Sequence, residues 1–475
     1  MLYVLLAVVL FVAILFIRTL SLKPTAARDV KLTFENDERS QKYGEGLSKM
    51  IQVETISSRY DDSREKFYKF HELLEELFPL VHKHMEKTVF DGSLLFKWKG
   101  ETDKDPIILM SHHDVVEAGG KWEHEPFSGD IDETGRVWGR GTVDTKASLY
   151  CIFEAVEELL EKGYKPAVDV YIASSCTEEW GGPGATTTVN YLKEKGLRFS
   201  LVLDEGGMIL EEPIAGVKGT YGMVGVVEKG YGDIKFIARS NGGHASAPSK
   251  NTPLVRLGKF MVDVEKHNPF IVKFTPTVEE MFKRVAPNMN FGMKFIFANM
   301  WCFKPLLKKV LPAISPAAGA MLQTTLAFTT SKGSDGLNVL PQEAYVTGNM
   351  RYIQHQPTDE SIALVSKIAA KYNIETEVIT KFPPYPIVDF NSDAFHLIEE
   401  VSNTIYPGVQ ICPYVMTGGT DARFYSEISD YCIRFAPLYI DKQQYGSIHA
   451  LNENIYAGAL TKAVDFYKEV IKRSQ

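Results

Sequence analysis

Short apolar runs that each end in a carboxylate or an imidazole are the feature of this 475-residue chain that most limits its fold. Residues 106–110, Pro-Ile-Ile-Leu-Met, precede His112 and Asp114. Residues 199–203, Phe-Ser-Leu-Val-Leu, lead directly into Asp204. Runs this short and apolar are typical of buried strands in an α/β sheet, in which functional groups collect at the strand ends.

Two further stretches show the same pattern. Residues 168–176 are a mostly apolar run that ends just before Glu178 and Glu179. A glycine-rich turn places Asp144 immediately before a long amphipathic stretch, residues 147–162. Adjacent carboxylates at a strand end point in different directions, so one can ligate a metal ion while its neighbour transfers protons.

These residue types indicate a metal-dependent hydrolase. Imidazoles and carboxylates are the ligands that hard-to-borderline divalent metals prefer, and His449 adds a second imidazole from the far end of the chain. Each residue alone is more often a surface or turn residue, but their coincidence at several strand ends favours a site. Asp114 lies two residues after His112, on the same side of an extended chain, where it can orient that imidazole. Asp144, at a loop-to-helix junction, is placed to bridge two cations.

Five segments together resemble the co-catalytic zinc peptidase family of carboxypeptidase G, aminoacylase and carnosinase. They are most similar to its branch of carboxypeptidase S and the secreted N-acyl-amino-acid hydrolases, and the likeness runs from about Lys42 nearly to the C-terminus. The segments are Ser111–Val116, Gly139–Lys146, Thr177–Glu179, Asp204–Gly207 and His449–Glu453.

The resemblance implies two zinc ions per subunit. Asp144 would bridge both ions, Glu179 and His449 would complete one site, and His112 and Asp204 would complete the other. Cobalt or manganese would also suit these ligands. The resemblance further implies a cis peptide bond after Asp144.

The implied chemistry is hydrolysis of an amide bond. Two cations that share a carboxylate and a water lower the pKa of that water towards about 7. Glu178, the general base by resemblance, would accept the proton and pass it to the leaving amine, so its removal should stop turnover and leave the metal bound. In the segment 240–248, His244 resembles the lid histidine that reaches into the active site of the other subunit and steadies the oxyanion, which implies a homodimer.

A free carboxylate on the substrate is implied as well. Asn338 and Arg351 match the carboxylate-recognising residues of the family, and arginine is the natural partner of a planar carboxylate. Gly418, Gly419 and Thr420 resemble its glycine-rich loop near the same carboxylate. We expect peptides cleaved in the carboxypeptidase or dipeptidase manner. The alternative is N-acyl amino acids, and a non-catalytic membrane-tethered binding protein is less favoured because the ligand set is complete.

The expected fold class is α/β. Strand-like and helical stretches alternate from about residue 41 to 224, which predicts a mixed sheet covered by helices. By resemblance this catalytic domain is interrupted by an α+β lid and dimerisation domain. The expected organisation is an N-terminal membrane segment 1–23, catalytic residues 24–224, a lid 225–381 and catalytic residues 382–475.

One part of the lid range, residues 295–321, is unusually apolar. It is interrupted by Pro312 and Pro316, so it does not read as a membrane span. We expect a helical hairpin packed on its own domain. The alternative is an apolar wall for an acyl group or a surface that leans on a membrane.

The first 17 residues carry no charged side chain and are followed by Arg18 and Lys23, which indicates a membrane-targeting segment. We expect a retained single-pass anchor; the alternative is a signal cleaved near Ala26 and a secreted enzyme. Charge after the apolar stretch predicts a cytoplasmic enzyme, whereas relatives in this branch are lumenal or secreted. A net charge of −8 without any basic patch argues against nucleic acid as a partner.

Overall fold

The computed structural model describes every residue from 1 to 475. The helices are α1 Leu2–Ser21, α2 Glu38–Gln52, α3 Glu65–Leu77, α4 Pro79–His84, α5 Lys146–Glu161, α6 Gly184–Glu194, α7 Pro253–Lys266, α8 Pro276–Val285, α9 Phe291–Ala298, α10 Met300–Ile314, α11 Pro316–Leu322, α12 Thr358–Lys371, α13 Asp393–Ile405, α14 Ala422–Tyr425, α15 Lys442–Ser447 and α16 Ala457–Arg473. The strands are β1 Glu86–Phe90, β2 Ser93–Trp98, β3 Ile107–Met110, β4 Arg136–Trp138, β5 Val170–Ser174, β6 Leu201–Asp204, β7 Ile209–Glu211, β8 Thr220–Glu228, β9 Gly230–Arg239, β10 Gly243–His244, β11 Thr325–Lys332, β12 Val339–Leu340, β13 Glu343–Tyr352, β14 Glu375–Phe382, β15 Gln410–Met416, β16 Cys432–Arg434, β17 Tyr439–Ile440 and β18 Asn454–Tyr456.

A ten-stranded mixed sheet forms the centre of the molecule. Its order is β1-β2-β5-β3-β6-β16-β8-β7-β17, with β15 beside β8. Strand β3 runs parallel to both β5 and β6, and all three are buried along their whole length. Burial on both faces explains why these strands read as continuous apolar runs. The carboxyl ends of three neighbouring strands therefore meet at one edge of the sheet.

Helices cover both faces of this sheet. Ile107 and Leu109 of β3 join a core to which α2, α5 and α16 contribute, whereas Ile108 and Met110 face a smaller core with α6 and α14. This is the alternation that a strand imposes on successive side chains. The expected α/β fold class with a mixed, helix-covered sheet is confirmed.

A separate antiparallel sheet forms the lid, in the order β11-β13-β9-β14. Its own core joins Ile234 and Phe236 of β9 to Phe260 of α7 and Val365 of α12. The chain enters this sheet directly from β8 and leaves it after β14. The short ribbon of β10 and β12 stands apart from the four strands.

Helices α8 to α11 lie within the lid range along the chain but pack elsewhere. The rings of Phe282 in α8 and Phe297 in α9 stack with centroids 4.3 Å apart. Both rings, with Leu307 and Leu322, belong to the large core of the central sheet and not to the lid core. The expected helical segment is present, but the expectation that it packs on its own domain is wrong.

Helix α1 is the one helix with the length and apolarity of a membrane span. It has 20 residues with a mean hydropathy of 2.7, and most of its side chains are exposed. By length and composition it fits an anchor or a signal sequence. The five cysteines form no disulfide.

Candidate metal centre and active site

Three parallel strands deliver the first part of the site. His112 follows β3, Glu178 and Glu179 follow β5, and Glu205 follows β6 at the same sheet edge. A fourth residue, Asp144, lies between β4 and α5, and the Asp144–Thr145 peptide bond is cis, as the sequence resemblance implied. The strand ends thus gather acids and an imidazole that are far apart along the chain.

A two-stranded ribbon supplies the remaining imidazole. Strand β18 pairs antiparallel with β4, which brings the loop before β18 beside the loop after β4. His449 lies in that loop with a φ of 56°, and its side chain is 51% exposed. This pairing places His449 against Asp144, although the two residues are far apart in sequence.

The carboxylate of Asp144 lies between the two imidazoles. Its Oδ1 is 3.1 Å from Nε2 of His112, and its Oδ2 is 3.0 Å from Nε2 of His449. The same Nε2 of His449 is 3.1 Å from Oε2 of Glu179. Asp144 therefore belongs to two ligand groups, one with His112 and Glu205 and one with Glu179 and His449.

This donor set fits divalent metal ions. Nδ1 of His112 lies 2.9 Å from the carbonyl oxygen of Asp114, which only accepts, so Nδ1 carries the proton and Nε2 presents its lone pair to Asp144. Oε1 of Glu179 is buried without a hydrogen-bond partner. Lone pairs that converge in this way need cations between them, and separations near 3 Å suit neighbouring ligand atoms around an ion with bonds of about 2.1 Å.

The pKa values of the residues in the two groups also indicate that positive charge is favoured at this site. Hydrogen bonds to Asp144 and Glu179 raise the pKa of His449 to about 10 against its partial burial. Burial raises the pKa of Glu179 to about 7, and the charge of Asp144 adds to that rise. Burial also opposes the charge of Asp144, but His112 and His449, once each carries a proton on Nε2, hold the pKa of that carboxyl below its ordinary value.

The structure places Glu205, and not the predicted ligand Asp204, in the candidate ligand group with His112 and Asp144. Oδ1 of Asp204 accepts the N–H of Glu205 at 2.9 Å, and Oδ2 accepts the N–H of Ala422 at 2.7 Å. Asp204 is thereby held at the wall of a small cavity beside His112, outside both ligand groups.

Asp114 holds the two glutamates as well as the imidazole. Its Oδ1 accepts the backbone N–H of Glu178 at 3.2 Å, and its Oδ2 accepts that of Glu179 at 3.1 Å and the hydroxyl of Ser57. The fully buried carboxylate thus ties the end of β5 to His112 at the end of β3. Burial raises the pKa of Glu178 well above its ordinary value, while His112 opposes that rise.

Glu453 holds the loop that carries Asp144, a role that sequence reasoning missed. Its buried carboxylate accepts the N–H groups of Gly141, Val143 and Asp144 at 3.1, 2.7 and 3.0 Å. Arg140 donates to the same carboxylate at 2.7 Å. The one available signal was the position of Glu453 four residues after His449.

The predicted carboxylate-binding residues divide into two sets. Arg351 of β13 is half-buried, its guanidinium lies 4.7 Å from the centre of the Tyr231 ring, and only its Nε is used within the chain, by Asn349. Its two terminal nitrogens remain free to meet a carboxylate. Gly418 and Gly419 follow β15 with backbone N–H groups that bond to nothing within the chain.

Thr420 is committed elsewhere. Its N–H and its hydroxyl both donate to the fully buried Glu228, at 3.2 and 3.1 Å. Glu228 also accepts from Nε of Arg434 at 3.1 Å. Both hydrogen-bond donors of Thr420 are therefore used within the chain. Glu228 ends β8 as an acid within an apolar strand and gave no signal in the sequence.

His244 and Asn338 lie together on the lid ribbon, outside both ligand groups. His244 of β10 is exposed and its Nδ1 is 2.7 Å from the hydroxyl of Ser246. The N–H of Ala245 donates to the carbonyl of Asn338 at 2.9 Å. Within one chain, neither side chain takes part in the metal groups.

Comparison with known proteins gives consistent matches. Peptidase family M20/M25/M40 matches residues 108–473. The probable carboxypeptidase S-like 2 of Dictyostelium discoideum is 32% identical over 444 residues, which are 90% of this chain and 84% of that protein. The N-fatty-acyl-amino acid synthase/hydrolase PM20D1 of Xenopus tropicalis is 31% identical over 99% of this chain and 94% of its own. The M20 family metallo-carboxypeptidase Sso-CP2 from Sulfolobus solfataricus shares the fold, with a TM-score of 0.69 at 18% identity over 92% of this chain and 99% of its own.

Exchange of Glu205 should weaken metal binding more than exchange of Asp204. Glu205→Gln removes a ligand oxygen, so we expect a loss beyond the about 10–100-fold that an outer partner costs. Asp204→Asn alters only contacts to backbone N–H groups and should stay within that range. Competition with a chelating dye measures both affinities, and the reverse order would contradict the assignment.

Glu453→Gln should lower metal affinity by about 10–100-fold although Glu453 is itself in neither ligand group, because the loop that carries Asp144 loses its anionic acceptor. The same chelator competition measures the change. Glu212→Gln, which removes a surface ion pair with Lys442, is the matched control. An unchanged affinity in Glu453→Gln would show that the loop holds its shape without this carboxylate.

Proposed function

This chain belongs to peptidase family M20/M25/M40, and from that premise we propose that it hydrolyses the amide bond of substrates with a free carboxylate. The chain is thus a metallopeptidase or amidohydrolase by family. The observation that carries the proposal is Asp144, shared by two ligand groups beside an acid that is not in either group, Glu178. A shared carboxylate and a separate base are the parts that metal-assisted hydrolysis requires.

In this proposal the two groups would hold two divalent ions, zinc in the first place. His112, Asp144 and Glu205 would hold one ion, and Asp144, Glu179 and His449 would hold the other. Bound ions would supply Lewis-acid polarisation of the carbonyl and a more acidic water. The chain's own residues do the remaining work.

Glu178 carries the proton. Its backbone is fixed by Asp114, and its side chain lines the cavity that His112 also lines. Glu178 accepts a proton from the attacking water and then donates it to the nitrogen of the leaving amine, so the carboxyl ends the cycle as it began. The burial that raises its pKa favours the protonated state that this second step needs.

The substrate carboxylate is placed against Arg351. The free terminal nitrogens of this residue form a fork that matches a carboxylate, and the stacked Tyr231 ring keeps the guanidinium in place. The N–H groups of Gly418 and Gly419 supply further donors. His244 and Asn338 are assigned to the site of a second subunit, with the lid as the dimer interface, because the ribbon that carries them is exposed and bears the exposed side chain of Leu337.

Peptides are the first substrate class, in agreement with the carboxypeptidase name of one relative. A specific observation favours a second class, the N-acyl amino acids. One relative, 94% of whose length is matched by this chain, is named for fatty-acyl amino acids. This chain also carries helices beside α1 with exposed apolar side chains. Helix α1 is assigned as a retained anchor.

Glu178→Gln should lower kcat by about 10²–10⁴-fold and leave the metal content unchanged, because only the proton carrier is lost. The full-length enzyme in detergent is loaded with zinc and given dipeptides and N-acyl amino acids of short and long chain. Metal is measured by atomic absorption, with Glu212→Gln as the control. Hydrolysis of neither class by the metal-loaded wild type, or full activity of Glu178→Gln, would contradict the proposal.

Arg351→Ala should lower kcat/KM by about 10–100-fold for substrates with a free carboxylate, the loss expected for a charged hydrogen bond of about 1.5–3 kcal/mol. Substrates amidated at that carboxylate should react equally slowly with both enzymes. Arg239→Ala, which removes only exposed ion pairs on the neighbouring strand, is the matched control. An equal loss on both kinds of substrate would show that Arg351 acts on the fold and not on the carboxylate.

A further inference from the structure

Helix α10 presents a continuous apolar stripe to the outside. Leu306, Val310 and Ile314 recur every four residues, so they share one face, and they are 53%, 37% and 67% exposed. Trp301 and Phe291 extend this surface with exposures of 53% and 55%. A contiguous apolar surface of this kind marks an interaction site in a folded protein.

This surface continues that of α1. The rings of Phe11 in α1 and Trp301 in α10 meet edge to face with centroids 5.8 Å apart. Phe16 lies 5.1 Å from Phe295 and 6.3 Å from Phe291 in α9. Helices α9 to α11 are called the insert. Its apolar helices α9 and α10 therefore lie against the one helix that is long enough to span a bilayer.

A buried polar contact fixes the position of α1 on the insert. Asn299, between α9 and α10, is fully buried, and its Nδ2 donates to the carbonyl of Leu15 at 3.1 Å and to the hydroxyl of Thr19 at 3.2 Å. Thr19 is also fully buried and donates to Leu15. An amide that meets two groups of another helix specifies one docking register, and such bonds hold helices together in lipid.

Charges mark where the bilayer surface would lie. Nζ of Lys294 donates to the carbonyl of Leu22, just beyond the end of α1. Lys308 and Lys309 are exposed beside the apolar stripe of α10. Long cationic side chains at the border of an apolar surface reach towards phospholipid head groups.

The depth of the contact can be read along α1. Phe11 lies ten residues before the end of the helix at Ser21, which is about 15 Å at 1.5 Å per residue, or half of a hydrocarbon core of about 30 Å. Trp301 meets α1 at that level. The insert thus reaches through one leaflet and is too short to cross the other.

We propose that helices α9 to α11 form a second membrane-inserted element, which docks on α1 and enters the leaflet next to the enzyme, with the acyl chains of phospholipids as its partner. The inference rests on the retained anchor assigned under the proposed function. It adds that the insert is held at the lipid surface, together with the start of the lid strand β11 that follows it. Lipophilic substrates dissolved in that leaflet would then reach the enzyme without passing through water.

Tryptophan fluorescence in full-length enzyme tests the insertion. The chain is reconstituted in phosphatidylcholine vesicles with or without dibrominated acyl chains, which quench only tryptophan within the lipid. We expect quenching in the wild type and its loss in Trp301→Phe, because the other four tryptophans lie outside α1 and α9 to α11. Quenching that is absent, or that persists in Trp301→Phe, would overturn the inference.

A cysteine pair tests the docking on α1. Phe11→Cys with Trp301→Cys should be joined by a short bismaleimide crosslinker in the vesicles, whereas Val4→Cys with Trp301→Cys, seven residues further along α1, should not. No crosslink within the chain in the first pair, a crosslink only between two chains, or an N-terminus that lacks α1 by mass spectrometry would each overturn the inference. Turnover of N-acyl amino acids in the same vesicles separates the two proposals: activity without quenching removes only the insertion, and quenching without activity removes only the proposed function.

Discussion

The carboxylate of Asp144, held between the imidazoles of His112 and His449, is the interaction on which the rest of the site depends. Around it lie the carboxylates of Glu179 and Glu205, both largely removed from solvent. Burial, with the charge of Asp144, raises the pKa values of both acids, so positive charge at the centre would favour their ionised forms. The surrounding structure serves to hold these groups together in spite of their repulsion.

Two kinds of constraint keep them there. Parallel strands place His112, Glu179 and Glu205 at one sheet edge, and the sheet cannot release one of them without losing its register. Buried carboxylates then fix the loops: Asp114 holds the turn after β5, and Glu453 holds the turn before Asp144. Each of these acids accepts several hydrogen bonds, which satisfies its charge and makes the loop conformation specific.

A third buried acid connects the catalytic sheet to the lid. Glu228 ends β8 one residue before the lid strand β9 begins, and it accepts hydrogen bonds from Thr420 and Arg434. The glycine-rich loop after β15 and the entrance to the lid are therefore tied to the same carboxylate. A buried ion pair adds little to stability once its desolvation is included, but it fixes geometry. Arg351, on the lid side, is thereby held at a set position relative to Gly418 and Gly419.

The sequence by itself determined the strands, the catalytic groups that follow them and the family. Periodicity and the position of acids after apolar runs are local properties, so β3, β5, β6 and the helix α5 fall close to where they were expected. Tertiary structure distinguishes Asp204 from Glu205, because the N–H of Ala422, far along the chain, donates to Asp204, whereas Glu205 lies in a candidate ligand group. It also decided that α8 to α11 rest on the central sheet and on α1, since an apolar helix does not encode which apolar surface covers it. The reason is the same in both cases. The role of a side chain depends on which distant groups form hydrogen bonds with it or pack against it, and the order of residues along the chain does not specify those groups.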